Sequence, residues 1–412
     1  MIVTTQIGKG LARLPVRAKC GALYLRTINY LQSIKQRRAR LWQTSLVSTS
    51  AKRDPLHKTI SLKMVAEQVG LSTAAVSRVL NRSPAAKSIP KATQERILAA
   101  ARQLNYRPNL LARSLRRGSS HTVGVLVPEV SEGYATLVLA GLEQGLLQAG
   151  YFYYLISHHH RPDLIEQSLS MLVERAVDGI IAIDTVLQKY RSLPMVTVSC
   201  PYMDDHVTNI VLNHKRAAEL AIDHLTGLGH RHIALIKGQA FSSDTEPRWQ
   251  AIQHAAAKAN LKLNQDLLAQ LGGDSPSHEP GYFAAQRLLA SKEHFTALFA
   301  FNDVSAIGAI RAFREAGLRV PQDISVVGFD DVQSAAFQNP GLTTVRQPLR
   351  TMGILAAEAI LRQITSPAEH PSSRQVVVDP ELVVRESTCP PSSKQTKKIV
   401  FGDQIPGPET LA

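Results

Sequence analysis

The sequence predicts an α/β fold preceded by a small all-α unit, and three observations carry that reading. After residue 120, continuous apolar runs of strand length alternate with amphipathic helical stretches, the pattern of parallel sheets covered by helices. Between residues 59 and 107, short segments with helix-capping signals replace that alternation. The charge divides in the same place. The 412 residues carry 47 Lys plus Arg and 33 Asp plus Glu, a formal net +14, but residues 1–120 hold +20 and the remainder −6. A basic head on a mildly acidic body is the distribution of a polyanion-binding module joined to a separate globular domain.

Several classes are disfavoured at once. No stretch reaches the roughly 18 to 20 uninterrupted apolar residues of a membrane helix, so no membrane partner is expected. Cys20, Cys200 and Cys389 are widely separated and odd in number, which fits neither a disulfide framework nor a cysteine zinc site and suits a reducing interior. The sequence holds no Walker loop, no Gly-x-Gly-x-x-Gly, no Gly-x-Ser-x-Gly and no His-Glu-x-x-His. Neither an enzyme nor a cofactor is expected.

Residues 1–58 contain twelve Lys or Arg and a single acid, Asp54, without amphipathic period. They read as a disordered basic extension, with an organellar transit peptide or extra nucleic-acid contact as alternatives. From Thr59 the texture changes. Ser61 is an N-cap for a helix carrying Met64, Val65, Gln68 and Val69, which Gly70 ends. Ser72 caps a second helix, Thr73–Leu80, with Val76, Val79 and Leu80 on its apolar face. Two short helices around a Gly-Leu-Ser turn describe a helix-turn-helix, with Ala66 permitting close approach and Val69, Leu71 and Val76 as its core. A third helix, about Lys91–Leu104, turns Ile97, Leu98, Ala101 and Leu104 toward them.

The run VAEQVGLSTAAVSRVLN, residues 65–81, goes beyond spacing, as do LNYRPN at 104–109 and ARSL at 112–115. These closely resemble the headpiece of the LacI/GalR family of bacterial transcriptional repressors. The resemblance extends to about residue 388 through GHRHIALI (229–236), FNDVSAIG (301–308), VPQDISVVGFDD (320–331) and PGLTTVRQP (340–348). It implies five parts: the extension 1–58, a DNA-binding headpiece 59–107, a hinge helix 108–118, a two-lobed effector-binding and dimerisation domain 119–388 resembling periplasmic binding proteins, and a disordered tail 389–412. It further implies a cytoplasmic dimer on a near-palindromic double-stranded operator, controlled by a small-molecule effector, with a carbohydrate as the family default. The tail lacks a leucine heptad, so a dimer is expected. A transporter's solute-binding protein is the alternative; it needs an export signal and no headpiece.

By the resemblance, Thr73, Ala74 and Arg78 read base edges, while Ser72, Ser77 and Asn81 serve phosphate contact or helix packing. Arg78 has the chemistry of a base reader, because its planar fork can donate twice to guanine; a phosphate clamp is its other reading. Leu115 takes the place of the family's minor-groove wedge, beside Asn109 and Ala112, and Arg113, Arg116 and Arg117 would neutralise phosphates. A plain basic linker is the alternative for this segment. The connection from Asn81 to Thr93 is about three residues longer than the usual family loop.

In the body, strands are expected at 122–128, 151–157, 178–184, 194–199, 232–237, 297–300 and 324–327. Helices are expected at 133–150, 163–175, 215–228, 248–260 and 304–315. The lobes should be discontinuous, with crossings near 222, 345 and 376. Ligands in such folds bind outside the carboxyl ends of strands, which nominates Tyr134, His158 and Asp330. The resemblance adds Asp303 and Arg248 as effector contacts. Glu132–Ala135 and Leu212–His214 depart from common family runs, so the pocket is not expected to be that of a recognisable sugar or purine regulator, and a carbohydrate or related polar metabolite stays the default that the resemblance implies. His158–His160 could suggest a metal, but adjacent residues cannot all reach one ion from regular structure, and a solvated loop is preferred.

Overall fold

The computed structural model of the protein describes residues 60–81, 83–107, 118–131, 133–185, 187, 193–200, 207–273, 277–291, 293–366 and 375–392. The basic extension, Asn109, Ala112, Leu115 and the three hinge arginines, and the tail beyond Ser392 lie outside the described residues. The chain forms two compact units, Met1–Pro108 and Asn109–Ala412.

In the first unit, α1 (Leu62–Val69) begins where Ser61 Oγ accepts the Met64 N–H, and ends at Gly70, whose left-handed φ of 69° suits a residue without Cβ. α2 (Thr73–Leu80) starts in the same way, with Ser72 Oγ accepting the Ala75 N–H at 3.2 Å. A 3-10 turn, Pro84–Ser88, fills the lengthened connection to α3 (Lys91–Gln103). Val65, Val76 and Ile97 are fully buried where the helices meet, each contributing on the order of 1.5–3 kcal/mol. Leu98 departs from expectation. It is 37% exposed, and Ala100 is buried beside Ile97 and Ala101, because one residue along a helix is 100° around it.

The second unit begins with β1 (Thr122–Val127), α4 (Tyr134–Gln148), β2 (Phe152–Ser157), α5 (Pro162–Glu174), β3 (Gly179–Ile183), β4 (Met195–Val198) and β5 (Thr208–Leu212). It continues through α6 (His214–Gly227), β6 (Ile233–Lys237), α7 (Thr245–Lys258), β7 (Leu268–Gln270), α8 (Glu279–Ala290), β8 (Ala297–Phe299), α9 (Asp303–Glu315) and β9 (Ser325–Asp330). It ends with α10 (Gln333–Ala336), β10 (Thr343–Arg346), α11 (Leu349–Thr365), β11 (Gln375–Val378) and β12 (Glu381–Val383).

The strands make two sheets, ordered β11-β5-β4-β3-β1-β2 and β12-β10-β9-β8-β6-β7. All described pairings are parallel except β10 with β12. Every residue of β3, β4 and β9 is buried, which is why these strands read as unbroken apolar runs. α4 and α11 cover the first sheet at close range. A Cβ on Gly141 would strike the Arg350 carbonyl, and one on Gly353 would strike the Val138 carbonyl; a side chain at either would force the helices apart.

The chain passes between the lobes at Asn213, at Gln347–Pro348 and at Asp379–Pro380. The first passage precedes the expected 222, because α6 packs against α7, β10 and β12 of the second lobe. Asn213 Nδ2 donates to Asp379 Oδ1 at 2.9 Å, tying two passages together.

Candidate DNA-binding face and ligand cleft

On the headpiece, α2 turns Thr73, Ala74 and Arg78 outward, and Ala74 and Arg78 share one face by their spacing of four. Ser72 is exposed, with its hydroxyl on the Ala75 N–H. Ser77 and Asn81 serve packing: Ser77 is 8% exposed, and Asn81 Nδ2 donates to its carbonyl at 2.8 Å and its hydroxyl at 3.1 Å. Arg96 donates to the Val69 carbonyl at 3.1 Å, closing the end of α1. The outward face itself sits on α2, held at its start by Ser72 and at its end by Asn81.

In the second unit a cavity of about 130 Å³ lies between the lobes, below the roughly 300–1,000 Å³ of a pocket for drug-sized molecules and so scaled to a small metabolite. The first lobe contributes Tyr134, His160 and Asp184, the second Asp244, Arg248 and Asp330. These residues follow strands or begin helices at the carboxyl ends of the sheets. Asp184 (φ 42°) and Asp330 (φ 109°) hold left-handed backbone, a strain that clusters at functional sites.

Arg248 is 4% exposed. Its guanidinium carbon lies 3.7 Å from the Phe329 ring centroid and 4.4 Å from that of Phe301. It donates to the Phe301 carbonyl at 2.6 Å and to Asp244 at 3.2 Å. His214 approaches the other Asp244 oxygen at 3.3 Å. Burial pushes the Asp244 carboxyl up, but His214 and Arg248 together outweigh it and hold the group below the ordinary value.

Asp184 and Asp330 behave oppositely. Burial, reinforced by the charge of Asp244, pushes Asp184 up to about 7, although it accepts from the Ser243 N–H at 2.9 Å and from the Ser243 hydroxyl. Burial likewise pushes Asp330 up to about 7; it accepts from Gln347 Nε2 at 2.6 Å. Burial also raises the Tyr134 phenol, with Asp244, Asp184 and Asp330 adding to the shift. Among the described residues Arg248 Nε and Gln347 Oε1 are buried without a hydrogen-bond partner, and Tyr134 Oη has only the loosely placed Ser199 hydroxyl beside it, an arrangement costly in a finished interior and natural in a site that receives a polar guest.

Two residues nominated from the sequence do not line this cavity. His158 is 1% exposed, not part of a solvated loop. Its Nδ1 accepts the His160 N–H at 3.1 Å while Nε2 lies 2.9 Å from the Thr185 hydroxyl. Burial lowers its pKa to about 4. The imidazole is thus a neutral brace, and the residue reaching the cleft is His160, its ring centroid 3.9 Å from that of Phe241 in the other lobe. Asp303 is fully buried within the second lobe and accepts from the Val332 N–H at 2.9 Å and the Thr344 hydroxyl at 2.6 Å. Its neighbours Asn302 and Ser305 face the cavity instead.

Sequence reasoning missed Asp184, Asp244, Phe241 and His160. Asp184 was legible as the residue after a buried strand, and Asp244 as the carboxylate one helical turn before Arg248. Among the described residues no cluster of His, Cys, Asp or Glu could hold a metal ion, and no helix is long and apolar enough to cross a membrane.

Residues 61–109 match the bacterial regulatory proteins of the lacI family, and residues 222–388 match the periplasmic binding protein-like domain. The HTH-type transcriptional repressor PurR of Haemophilus influenzae is 32% identical over 337 residues, covering 79% of this chain and 98% of the relative. The lac repressor dimer bound to operator and the anti-inducer ONPF superposes with a TM-score of 0.71 at 26% identity, over 81% of this chain and all of that one. The transcriptional regulator CelR in complex with cellobiose gives 0.59 at 26% identity, over 80% and 99%. The motifs, the two parallel-sheet lobes and a relative matched over nearly its whole length agree: the chain belongs to the lacI family and is a DNA-binding transcriptional repressor.

Proposed function

We propose that this repressor acts as a dimer whose hold on a near-palindromic operator is set by a small polar metabolite of the sugar class bound between the lobes. The observation that carries the reading is the cavity between the lobes, where, among the described residues, Arg248 Nε is buried without a partner and Tyr134 Oη has no well-placed one. Hydroxyl groups of a guest would satisfy both. A carbohydrate suits a cleft that also offers Asp330 as acceptor and the Phe301 ring as an apolar wall. The cellobiose seen with CelR belongs to the same class.

Thr73, Ala74 and Arg78 would read bases from α2. Asn109, Ala112 and Leu115 would meet the minor groove, and Asp330, Arg248 and Tyr134 would hold the guest. A ligand that prefers one lobe arrangement shifts operator affinity by its differential binding, typically 1–3 kcal/mol. The alternative of a transporter's solute-binding protein leaves the headpiece match at 61–109 without a purpose. Operator selection from a random duplex pool, repeated with and without a sugar library, tests the proposal. A ligand that raises the melting temperature and changes operator affinity at least fivefold supports it; ligands that bind without altering operator affinity would sink the regulatory reading.

A further inference from the structure

Resting on that reading of the cleft, we infer that the guest carries a protonated amine, so that an amino sugar or a similarly amine-bearing polar metabolite is preferred over its neutral or phosphorylated counterpart. The cleft is lined by Glu129, Asp184, Asp244 and Asp330, against Arg248 and His160 as its possible cations. Arg248 cannot serve all of these carboxylates. Its two terminal nitrogens each give one bond, to the Phe301 carbonyl and to Asp244, and its plane is held between Phe301 and Phe329, which fixes it beside Asp244. Asp244 is further matched by His214 behind it.

Among the described residues no cation lies within ion-pair distance of Asp184 or Asp330, one on each lobe, although the charge of Arg248 reaches both. Asp184 takes its short bonds from Ser243 on one oxygen, while the other receives only Ser242 Oγ at 3.5 Å. Asp330 takes one bond, from Gln347. Buried carboxylates in this condition are stabilised by a partner of opposite charge. An ammonium brought in by a guest supplies it, and a phosphate would add repulsion. Arg248 Nε, without a partner among the described residues, and Tyr134 Oη, without a well-placed one, call for oxygen atoms on the same molecule, which is why a bare amine is not enough.

The pH dependence has a definite sign. Asp184 and Asp330 both titrate near 7, and an ammonium binds their ionised forms, so its affinity should fall as pH drops from 8 to 6. Among the described residues Asp244, Arg248, Glu129, His160, Tyr134 and His214, with the buried Asp303 behind Asp330, are the other titratable or charged groups around them. A neutral sugar binding protonated carboxyls would show the reverse or nothing.

The test uses the full chain and calorimetry with glucose, galactose and mannose, their 2-amino forms and their 6-phosphates, with putrescine and ethanolamine alongside. The expected result is an amino sugar binding at least tenfold tighter than both counterparts at pH 8. That advantage should shrink to about twofold in Asp330→Asn or Asp184→Asn, and affinity should weaken toward pH 6 in the unmutated protein. A neutral sugar or a phosphate binding tightest overturns the amine inference and leaves the sugar reading standing. Binding of putrescine or ethanolamine alone supports the amine and removes the sugar. No binding in any arm overturns both. The pH series needs no variant, so the inference stays open to refutation if a substitution fails to fold.

Discussion

Asp184, just beyond the last residue of β3 in the first lobe, accepts the backbone N–H of Ser243 in the second lobe at 2.9 Å. The Ser243 hydroxyl also donates to Asp184 and lies against the Ser199 carbonyl. One side chain therefore joins the lobes directly beside the cavity. A hydrogen bond to a charged group contributes about 1.5–3 kcal/mol. Asp184→Ala should speed amide exchange at Ser243 by about 10- to 100-fold, read by hydrogen-exchange mass spectrometry. Unchanged exchange there, with the rest of the second lobe as control, would show that the contact does not hold the lobes.

Arg248 is the residue for which charge alone is an insufficient description. Its planar group stacks on Phe329 at 3.7 Å and holds Asp244 and the Phe301 carbonyl at once. Lysine keeps the charge and loses the fork and the stacking face. Arg248→Lys should abolish the effector's influence on operator affinity while leaving ligand-free operator binding within about threefold, because the headpiece is a separate unit. Gel-shift titrations with and without ligand decide it; a preserved response would mean that charge is all the cleft needs at this position.

For α2 the discriminating change is Arg78→Ala. A bidentate contact to guanine is worth about 1–3 kcal/mol at one base pair, so the variant should lose roughly tenfold or more on the preferred operator and almost nothing on an operator mutated at that pair. Equal losses on every sequence would identify a phosphate clamp instead. Arg78 is exposed near the end of a helix whose start is capped by Ser72, so the substitution should leave the melting temperature unaltered.

The sequence made the helix-turn-helix and the first strands of the body readable for local reasons. Ser61, Gly70 and Ser72 act within one turn of their own positions, and β3 is apolar because both its faces are covered. β5, β7, β10, β11, β12, α8, α10 and α11 were not anticipated. β7 and β12 are three residues each, too short for a period to show, and α11 owes its place to packing on α4 through Gly141 and Gly353. The cleft was legible only in part for a related reason. A carboxylate at the head of a helix, such as Asp303, looks in sequence like a ligand contact. Whether it faces the cavity or its own lobe depends on Val332 and Thr344, distant along the chain. His158 and His160 are two residues apart, and only the turn between them decides which ring is the buried brace.

The raised carboxyls of the cleft predict how stability depends on pH. Asp330 titrates near 7 in the folded protein, against about 3.9 for an unperturbed aspartate. The folded state then holds a proton that the unfolded chain has released, so stability falls as pH rises from about 4 to 7 and is level above. His158 acts in the other direction: with its folded value lowered to about 4, its contribution is present above about 6.5 and is lost as pH falls through the folded value. Asp330→Asn removes the buried charge and keeps an acceptor for Gln347. The variant should gain on the order of 2 kcal/mol at pH 8 and nothing at pH 4, flattening the profile in between. Asp184, which also titrates near 7, retains part of the slope, and the double variant should flatten it further, with the raised Asp303 carboxyl and the lowered His158 left to shape what remains. Denaturant melts at pH 4, 6 and 8 measure this. A single variant that is equally stable to the parent at pH 8 would mean that Asp330 is already paired by a charge strong enough to offset its burial.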